Sequence, residues 1–171
     1  VHEQVRAADH IDPRDPPDLV ALSFFSGFAR RAYQLAAVYR RHGIPVIAGG
    51  PHVTFWPEQA LAHVDAVAIG EIDHLWSLII EDAERGQLER VYQGSPHDMR
   101  DLPTPRFDLI EPRFVVSRVM QATRGCPHTC HFCSTPTVNP GYRCRPIADI
   151  VRDISAPIAN NPSVMPRHWM P

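Results

Sequence analysis

Four cysteines, Cys126, Cys130, Cys133 and Cys144, fall within nineteen positions, and the first 125 residues have none. Three of them form the spacing C-x3-C-x2-C inside the run Arg124-Gly-Cys-Pro-His-Thr-Cys-His-Phe-Cys. Thiolates this close repel one another unless a cation sits among them, and soft sulfur ligands select zinc, copper(I) or an iron–sulfur cluster. Structural zinc takes four ligands, so here Cys144 would have to join with His128 or His131. Iron–sulfur clusters are usually held by four cysteines, and a loop supplying three leaves one iron of a [4Fe–4S] cube open to a further ligand. A secreted disulfide framework would spread its cysteines along the chain, so one local site points to a soluble, cytoplasmic protein.

A second set of residues suited to binding closes each of three short apolar runs. Ser23 lies near the end of the first and Ser26 just after it, Gly49, Gly50 and His52 follow the second, and Gly70 and Glu71 the third. Glycines at the carboxyl ends of parallel strands let a large flat ligand approach the backbone, and ligands of open α/β sheets bind at that edge. His52 and Glu71 are candidate contacts, set against the plainer readings of a solvated turn residue and a surface acid.

The elements that would position these residues alternate. Leu19–Phe25, Ile44–Ala48 and Ala66–Ile69 read as buried strands. An amphipathic helix runs from Phe28 with Ala32, Leu35, Ala36 and Tyr39 on its apolar face and is stopped by Gly43. A short helix is expected over Pro57–His63 and a longer one over His74–Arg85. Fully apolar strands separated by helices indicate a parallel sheet covered on both faces. The fold class is therefore α/β, Rossmann- or flavodoxin-like, over residues 1–92, with Val1–Val5 as the tail of an earlier strand. Residues 93–113, with Pro96, Pro103, Pro105 and Pro112, read as an extended linker laid on a surface. A second domain would occupy 114–171, with a strand over Phe114–Ala122, the cysteine loop, and a helix from Pro146 to Ile154.

Composition narrows the functional classes. The 171 residues are 44% hydrophobic and 21% charged, which suits a packed core, and the net charge of −2 argues against nucleic-acid binding by bulk electrostatics. All 17 basic residues are arginine. The absence of lysine excludes Schiff-base catalysis and a Walker-type phosphate loop. No run approaches the ~20 apolar residues of a membrane span.

Cys126-x3-Cys130-x2-Cys133 with Phe132 before the last cysteine resembles the radical S-adenosylmethionine signature. The upstream domain resembles the cobalamin-binding module joined to one branch of that family, through Ser23-Phe24-Phe25, Gly49-Gly50-Pro51-His52, Ala68-Ile69-Gly70-Glu71, the Asp101–Arg106 linker and Arg124-Gly125-Cys126-Pro127. The resemblance covers residues 1–154. It implies a [4Fe–4S] cluster on Cys126, Cys130 and Cys133 whose open iron binds S-adenosylmethionine, reductive cleavage to a 5′-deoxyadenosyl radical that abstracts hydrogen from an unactivated carbon, and cobalamin-assisted methyl transfer or rearrangement, with methylation, ring formation and ring contraction all open. It further implies a cobalamin (B12) held at Ser23, Ser26, Gly49, Gly50, His52, Gly70 and Glu71, an electron donor such as flavodoxin or ferredoxin, and the start of a (βα) partial barrel in the second domain. The family's Asp-x-His-x-x-Gly cobalt-ligand loop would precede Val1, and about 57 residues after Phe114 fall short of a barrel. The chain thus reads as truncated, with no catalytic residue assignable, an unknown small-molecule substrate, and no competence expected of it in isolation. Cys144 reads as a bystander, and His128, His131, Arg124 and Arg143 as loop-shaping or solvated. Two other readings stay open: a small electron-transfer or sensing protein with Cys144 as fourth cluster ligand, and a zinc-stapled binding module.

Overall fold

The computed structural model describes residues 16–100, 102–105 and 120–155. They divide into two compact units, one drawn from 1–97 and 128–140 and the other from 98–127 and 141–171.

The first unit is built on a four-stranded parallel sheet in sequential order, β1 (Val20–Ser23), β2 (Val46–Gly49), β3 (Ala66–Ile69) and β4 (Val91–Gln93). Between β1 and β2 a 3₁₀ turn at Ser26–Phe28 leads into α1 (Ala29–Arg41). Arg40 and Arg41 occupy the last turn, where the helix dipole favours cations, and Gly43 then adopts φ +74°. The expected helix at Pro57–His63 is α3 (Pro57–Leu61), and a further short helix that the sequence did not suggest, α2 (Pro51–Phe55), precedes it; each is opened by a proline at its first position. Pro57 lacks an N–H and restricts Trp56, which takes φ −132° and ψ 56°, so the two segments cannot merge. A 3₁₀ turn at Asp73–Leu75 precedes α4 (Trp76–Glu84).

Strand periodicity sorts the core into two layers. Val46, Ala48 and Val67 face Ala29, Ala32 and Ala36 of α1, together with Val53 of α2 and Ala60 of α3. Ile47, Ala66, Ala68 and Tyr92 point to the opposite face, where Ile79 of α4 is fully buried. Alanines on α1 let that helix lie close to the sheet. The Tyr92 hydroxyl donates to Asp82 at 2.8 Å and accepts the Glu89 amide at 2.9 Å, and burial pushes its pKa up. β4 was not expected from the sequence, which placed the end of the domain at residue 92; its pairing with β3 carries the sheet to Gln93.

The second unit has a short antiparallel ladder, β5 (Thr123–Arg124) with β6 (Arg143–Cys144), and a helix, α6 (Ile147–Ser155). α5 (Thr135–Val138) belongs to the first unit. Most of the strand expected over Phe114–Ala122 lies outside the described residues, and Met120–Ala122 are not in a strand. Val1–Val5 lie outside them as well.

α6 buries two acids, Asp149 and Asp153, and exposes Ile147, Val151 and Ile154. Asp153 is tied to Arg145 at 2.6 Å, with both side chains at most 4% exposed, and it accepts the Thr104 hydroxyl at 2.8 Å. Arg152 donates to the Leu102 carbonyl at 3.1 Å, so Leu102–Thr104 is fastened to α6 at two points. Burial alone would raise the Asp153 pKa; the hydrogen bonds from Arg145 and Thr104 and the positive charge of Arg145 outweigh it and hold the value below the ordinary carboxylate range.

A depressed folded-state pKa contributes stability that is complete above the unfolded value near ~4 and is lost as pH falls through the folded value. Asp153→Asn leaves the Arg145 charge buried and unpaired and should destabilise the second unit by about 3–5 kcal/mol at neutral pH. Hydrogen exchange of the Ile147–Ser155 amides in the full chain measures this, and the variant should also lose the steep fall in protection below about pH 4 that the parent shows.

Candidate functional site

Three strand ends and the segments after them form the carboxyl edge of the parallel sheet. Ser23 ends β1 directly beside Gly49, which ends β2. Gly50 then turns with φ +90°, a region that disfavours side chains, and a Cβ built there would lie 2.7 Å from Ser23 Oγ and 2.9 Å from the Phe24 nitrogen. The backbone of one strand end is thus pressed against the other, and the His52 amide donates to the Phe24 carbonyl across the seam at 3.2 Å.

His52 is buried, not a solvated turn residue. Ser26 Oγ lies 3.0 Å from its Nδ1 and the Tyr33 hydroxyl 3.0 Å from its Nε2, so both ring nitrogens are engaged. Phe24 packs at 5.5 Å between ring centroids, and Tyr33 stacks on His63 at 4.1 Å. Burial raises the Tyr33 pKa, which keeps its hydroxyl protonated. His52 therefore joins the turn after β1, the helix α1 and the turn after β2.

The turn after β3 is attached through a residue the sequence reading missed. The Thr54 hydroxyl donates to the Gly50 carbonyl at 3.1 Å and accepts the Gly70 amide at 3.1 Å. Its signal was slight: a threonine four residues after the glycine whose carbonyl it bonds. Gly94 was missed too. Its amide donates to the Ile69 carbonyl at 2.8 Å, and a Cβ there would fall 2.1 Å from the Glu71 carbonyl oxygen. Gly70 has φ +71°. Glu71 is buried, with its carboxylate 3.8 Å from His97. Beyond these strand ends, Phe25, Phe28, Phe55, Trp56 and Trp76 are large apolar side chains left exposed.

The structure thus brings Ser23 to Gly50, Ser26 to His52, and Gly50 to Gly70 by way of Thr54. Cys130 and Cys133 lie in the first unit, where the Cys133 amide closes a turn on the Cys130 carbonyl at 3.0 Å; Cys126 lies in the second unit, after β5. None of the four cysteines is in a disulfide. Hydrogen bonds from the Thr135 side chain and then its backbone hold the Cys133 thiol below its ordinary pKa, against a smaller opposing effect of burial. A thiol poised toward thiolate is what metal ligation requires. Cys144 is exposed opposite Thr123 and hydrogen-bonds Tyr142, whose pKa it raises. Phe132 is 93% exposed.

Sequence comparison supplies the family context. The chain is 36% identical over 132 residues to bacteriochlorophyllide d C-8(2)-methyltransferase of Chlorobaculum tepidum, covering 70% of this chain and 28% of that protein. It is 34% identical over 143 residues to bacteriochlorophyllide d C-12(1)-methyltransferase of the same organism, covering 80% of this chain and 31% of that protein. The hopanoid C-2 methylase of Rhodopseudomonas palustris is 29% identical over 121 residues, 66% of this chain and 23% of that protein. The chain is a homologue of methyltransferases. It spans less than a third of the length of each of these relatives. No protein-family model matches it. Among solved structures, the N-terminal domain of the hypothetical protein TM0182 of Thermotoga maritima aligns with 48% of this chain and 68% of that one, at 29% identity and a TM-score of 0.40, too loose a likeness to argue from. No helix among the described residues is long and apolar enough to cross a membrane.

Gly50 is the position where this edge is least tolerant. Gly50→Ala should destabilise the first unit by roughly 2–3 kcal/mol, combining an unfavourable backbone region with the clash against Ser23 and Phe24. Urea unfolding followed by tryptophan fluorescence tests it, since Trp56 and Trp76 both report on this unit, and Gly27→Ala, where a Cβ meets nothing within 4 Å, is the matched control.

Proposed function

We propose that this chain acts in methyl transfer to carbon as a cobalamin-dependent radical S-adenosylmethionine protein. The observation that carries the reading is the C-x3-C-x2-C run of free, accessible cysteines in a homologue of enzymes whose names place a methyl group on a numbered carbon. In this reading residues 1–92 form the cobalamin-binding domain, 93–113 the linker, and 114–171 the beginning of the radical S-adenosylmethionine core.

The donor set suits the cluster. Three thiols carry no disulfide, and the Thr135 hydrogen bonds favour the thiolate of Cys133. Cys126, Cys130 and Cys133 would hold a [4Fe–4S] cluster, and Cys144, engaged with Tyr142, would stay outside it. In this reading the flat cofactor would lie along the sheet edge at Gly49, Gly50 and Gly70, which are only half-buried. Ser23 and Ser26 offer hydroxyls beside it, His52 braces the two turns, and Glu71 contributes its backbone. When bound, the cluster supplies an electron that cleaves S-adenosylmethionine to methionine and a 5′-deoxyadenosyl radical, and cobalamin supplies the methyl group. Phe25, Phe28, Phe55 and Trp56 would exclude water from the bound cofactor. The substrate is a small molecule with a carbon to be methylated, of the large apolar kind that bacteriochlorophyllides and hopanoids represent. The electron comes from a reduced protein donor such as flavodoxin or ferredoxin.

Anaerobic reconstitution of the full chain with iron and sulfide, followed by metal analysis and EPR of the reduced protein, tests this. The expected result is about four irons per chain, lost in Cys130→Ala and kept in Cys144→Ala, with the spectrum changed by S-adenosylmethionine. Loss of the cluster in Cys144→Ala would assign a four-cysteine electron-transfer centre, and stoichiometric zinc with no cluster would assign a zinc-stapled module; either overturns the proposal.

A further inference from the structure

A second set of metal-ligand atoms lies at the other end of the same sheet edge and uses none of the cysteines. Glu71 follows β3, Asp73 opens the 3₁₀ turn before α4, and His97 lies four residues past the end of β4. Glu71 Oε2 is 3.8 Å from His97 Nδ1, and Asp73 Oδ2 is 3.8 Å from His97 Nε2. One donor atom from each residue can be chosen so that all three lie within 4.8 Å of one another. We propose that Glu71, Asp73 and His97 form a binding site for a divalent transition ion of the zinc class, which clips the turn after β3 to the segment after β4.

Three features support a built site. The first is spacing. The two 3.8 Å pairs use different ring nitrogens of His97, and an ion takes only one of them; the set of one donor per residue has its atoms within 4.8 Å, so an ion at its centre would lie at most about 2.8 Å from each, and shifts of under about an ångström would close bonds of ~2.0–2.2 Å. The second is burial. The Glu71 side chain is 4% exposed and that of His97 21%, whereas Asp73, at 34%, lies at the mouth. An ion held between two carboxylates and an imidazole that are partly withdrawn from water interacts with them more strongly than it would at an open surface. The third is rigidity. The close approach of Gly94 to the Glu71 carbonyl and the 2.8 Å bond from the Gly94 amide to Ile69 hold the two ligating segments together before any ion arrives.

Ligand chemistry narrows the occupant. One imidazole and two carboxylates form a mixed nitrogen–oxygen set that suits zinc, manganese(II) or iron(II), and thiolate-seeking copper(I) is disfavoured. Three protein ligands leave a further position for water. The His74 ring packs on that of His97 with 5.3 Å between centroids, a contact that can brace the ligating imidazole.

The cysteine run would also take up zinc or cobalt, so the test separates the two sites. The full chain with Cys126, Cys130, Cys133 and Cys144 all replaced by serine is titrated with cobalt(II) and then with zinc. One cobalt per chain is expected, with visible d–d bands, no thiolate charge-transfer absorption, displacement by zinc, and a zinc-dependent rise in Tm. His97→Ala in that background should weaken zinc binding at least about a hundredfold and abolish the Tm rise. Asp73→Asn, a change at the exposed mouth that does not threaten folding, should weaken it by about tenfold or more. His63→Ala, a histidine elsewhere in the same unit, should leave binding unchanged. Absence of stoichiometric cobalt, or binding that survives His97→Ala and Asp73→Asn unweakened, overturns the proposal. Because no cysteine remains in this background, these outcomes are independent of whether the cluster reading holds.

Discussion

The close approach of the strand ends at Gly50 governs the candidate site of the first unit. A parallel sheet leaves its carboxyl edge with amides and carbonyls that the ladder no longer pairs, and each must find a partner or water. Here the edge supplies its own partners. Gly50, with no side chain, lets the β2 turn settle against Ser23 and Phe24, and this contact places His52 where its amide reaches the Phe24 carbonyl. His52 then joins Ser26 to Tyr33, and Thr54 joins Gly50 to Gly70. A side chain at Gly50 would disturb the bonds from His52 to Phe24 and Ser26, because both assume the same separation between the two turns.

The second unit is organised by charge. Its helix turns acids inward, and around the Arg145–Asp153 pair Thr104 donates to Asp153 and the Gln121 carbonyl lies 3.4 Å from Arg145 Nη1, while Arg145 Nε and Nη2 are buried with no hydrogen-bond partner among the described residues. A buried ion pair is a weak source of stability beside apolar packing, but it is demanding of geometry. Leu102–Thr104 must lie where Thr104 and the Leu102 carbonyl meet α6, so a proline-rich stretch with no periodic pattern nonetheless has one place to go.

These two arrangements explain what could be read from the sequence. Strands β2 and β3 and helix α1 were legible because burial on both sheet faces produces continuous apolar runs, and a one-sided helix produces its 3.6-residue stripe. The glycines ending β2 and β3 were legible for the same reason, since they interrupt those runs. β4 was not. It is an edge strand whose Val91 and Gln93 are exposed and whose Tyr92 alone is buried, so it carries no apolar run and is defined only by its pairing with β3. Helix α2 was not legible either, because its five residues after Gly49-Gly50 are too few to show a helical stripe and look like the turn that closes β2. His52 looked like a solvated residue because its partners, Ser26 and Tyr33, stand 26 and 19 positions away. Glu71, Asp73 and His97 were invisible as a set, because only the pairing of β3 with β4 brings residue 97 back to residue 71.

The two proposed metal sites can coexist because their donors differ in softness. Three thiolates favour iron–sulfur chemistry and bind zinc well, whereas an imidazole with two carboxylates favours harder divalent ions and gives copper(I) or a cluster iron little to hold. Their positions in the chain differ as well: the carboxylate–histidine set is fixed to the sheet by Gly70, Gly94 and the β3–β4 pairing, while the cysteine run follows β5. An ion on Glu71, Asp73 and His97 would therefore stiffen the sheet edge whether or not the cysteines are loaded. An edge stiffened in advance loses less conformational freedom when a flat cofactor settles on it, so the ion and the cofactor would favour each other's binding without touching.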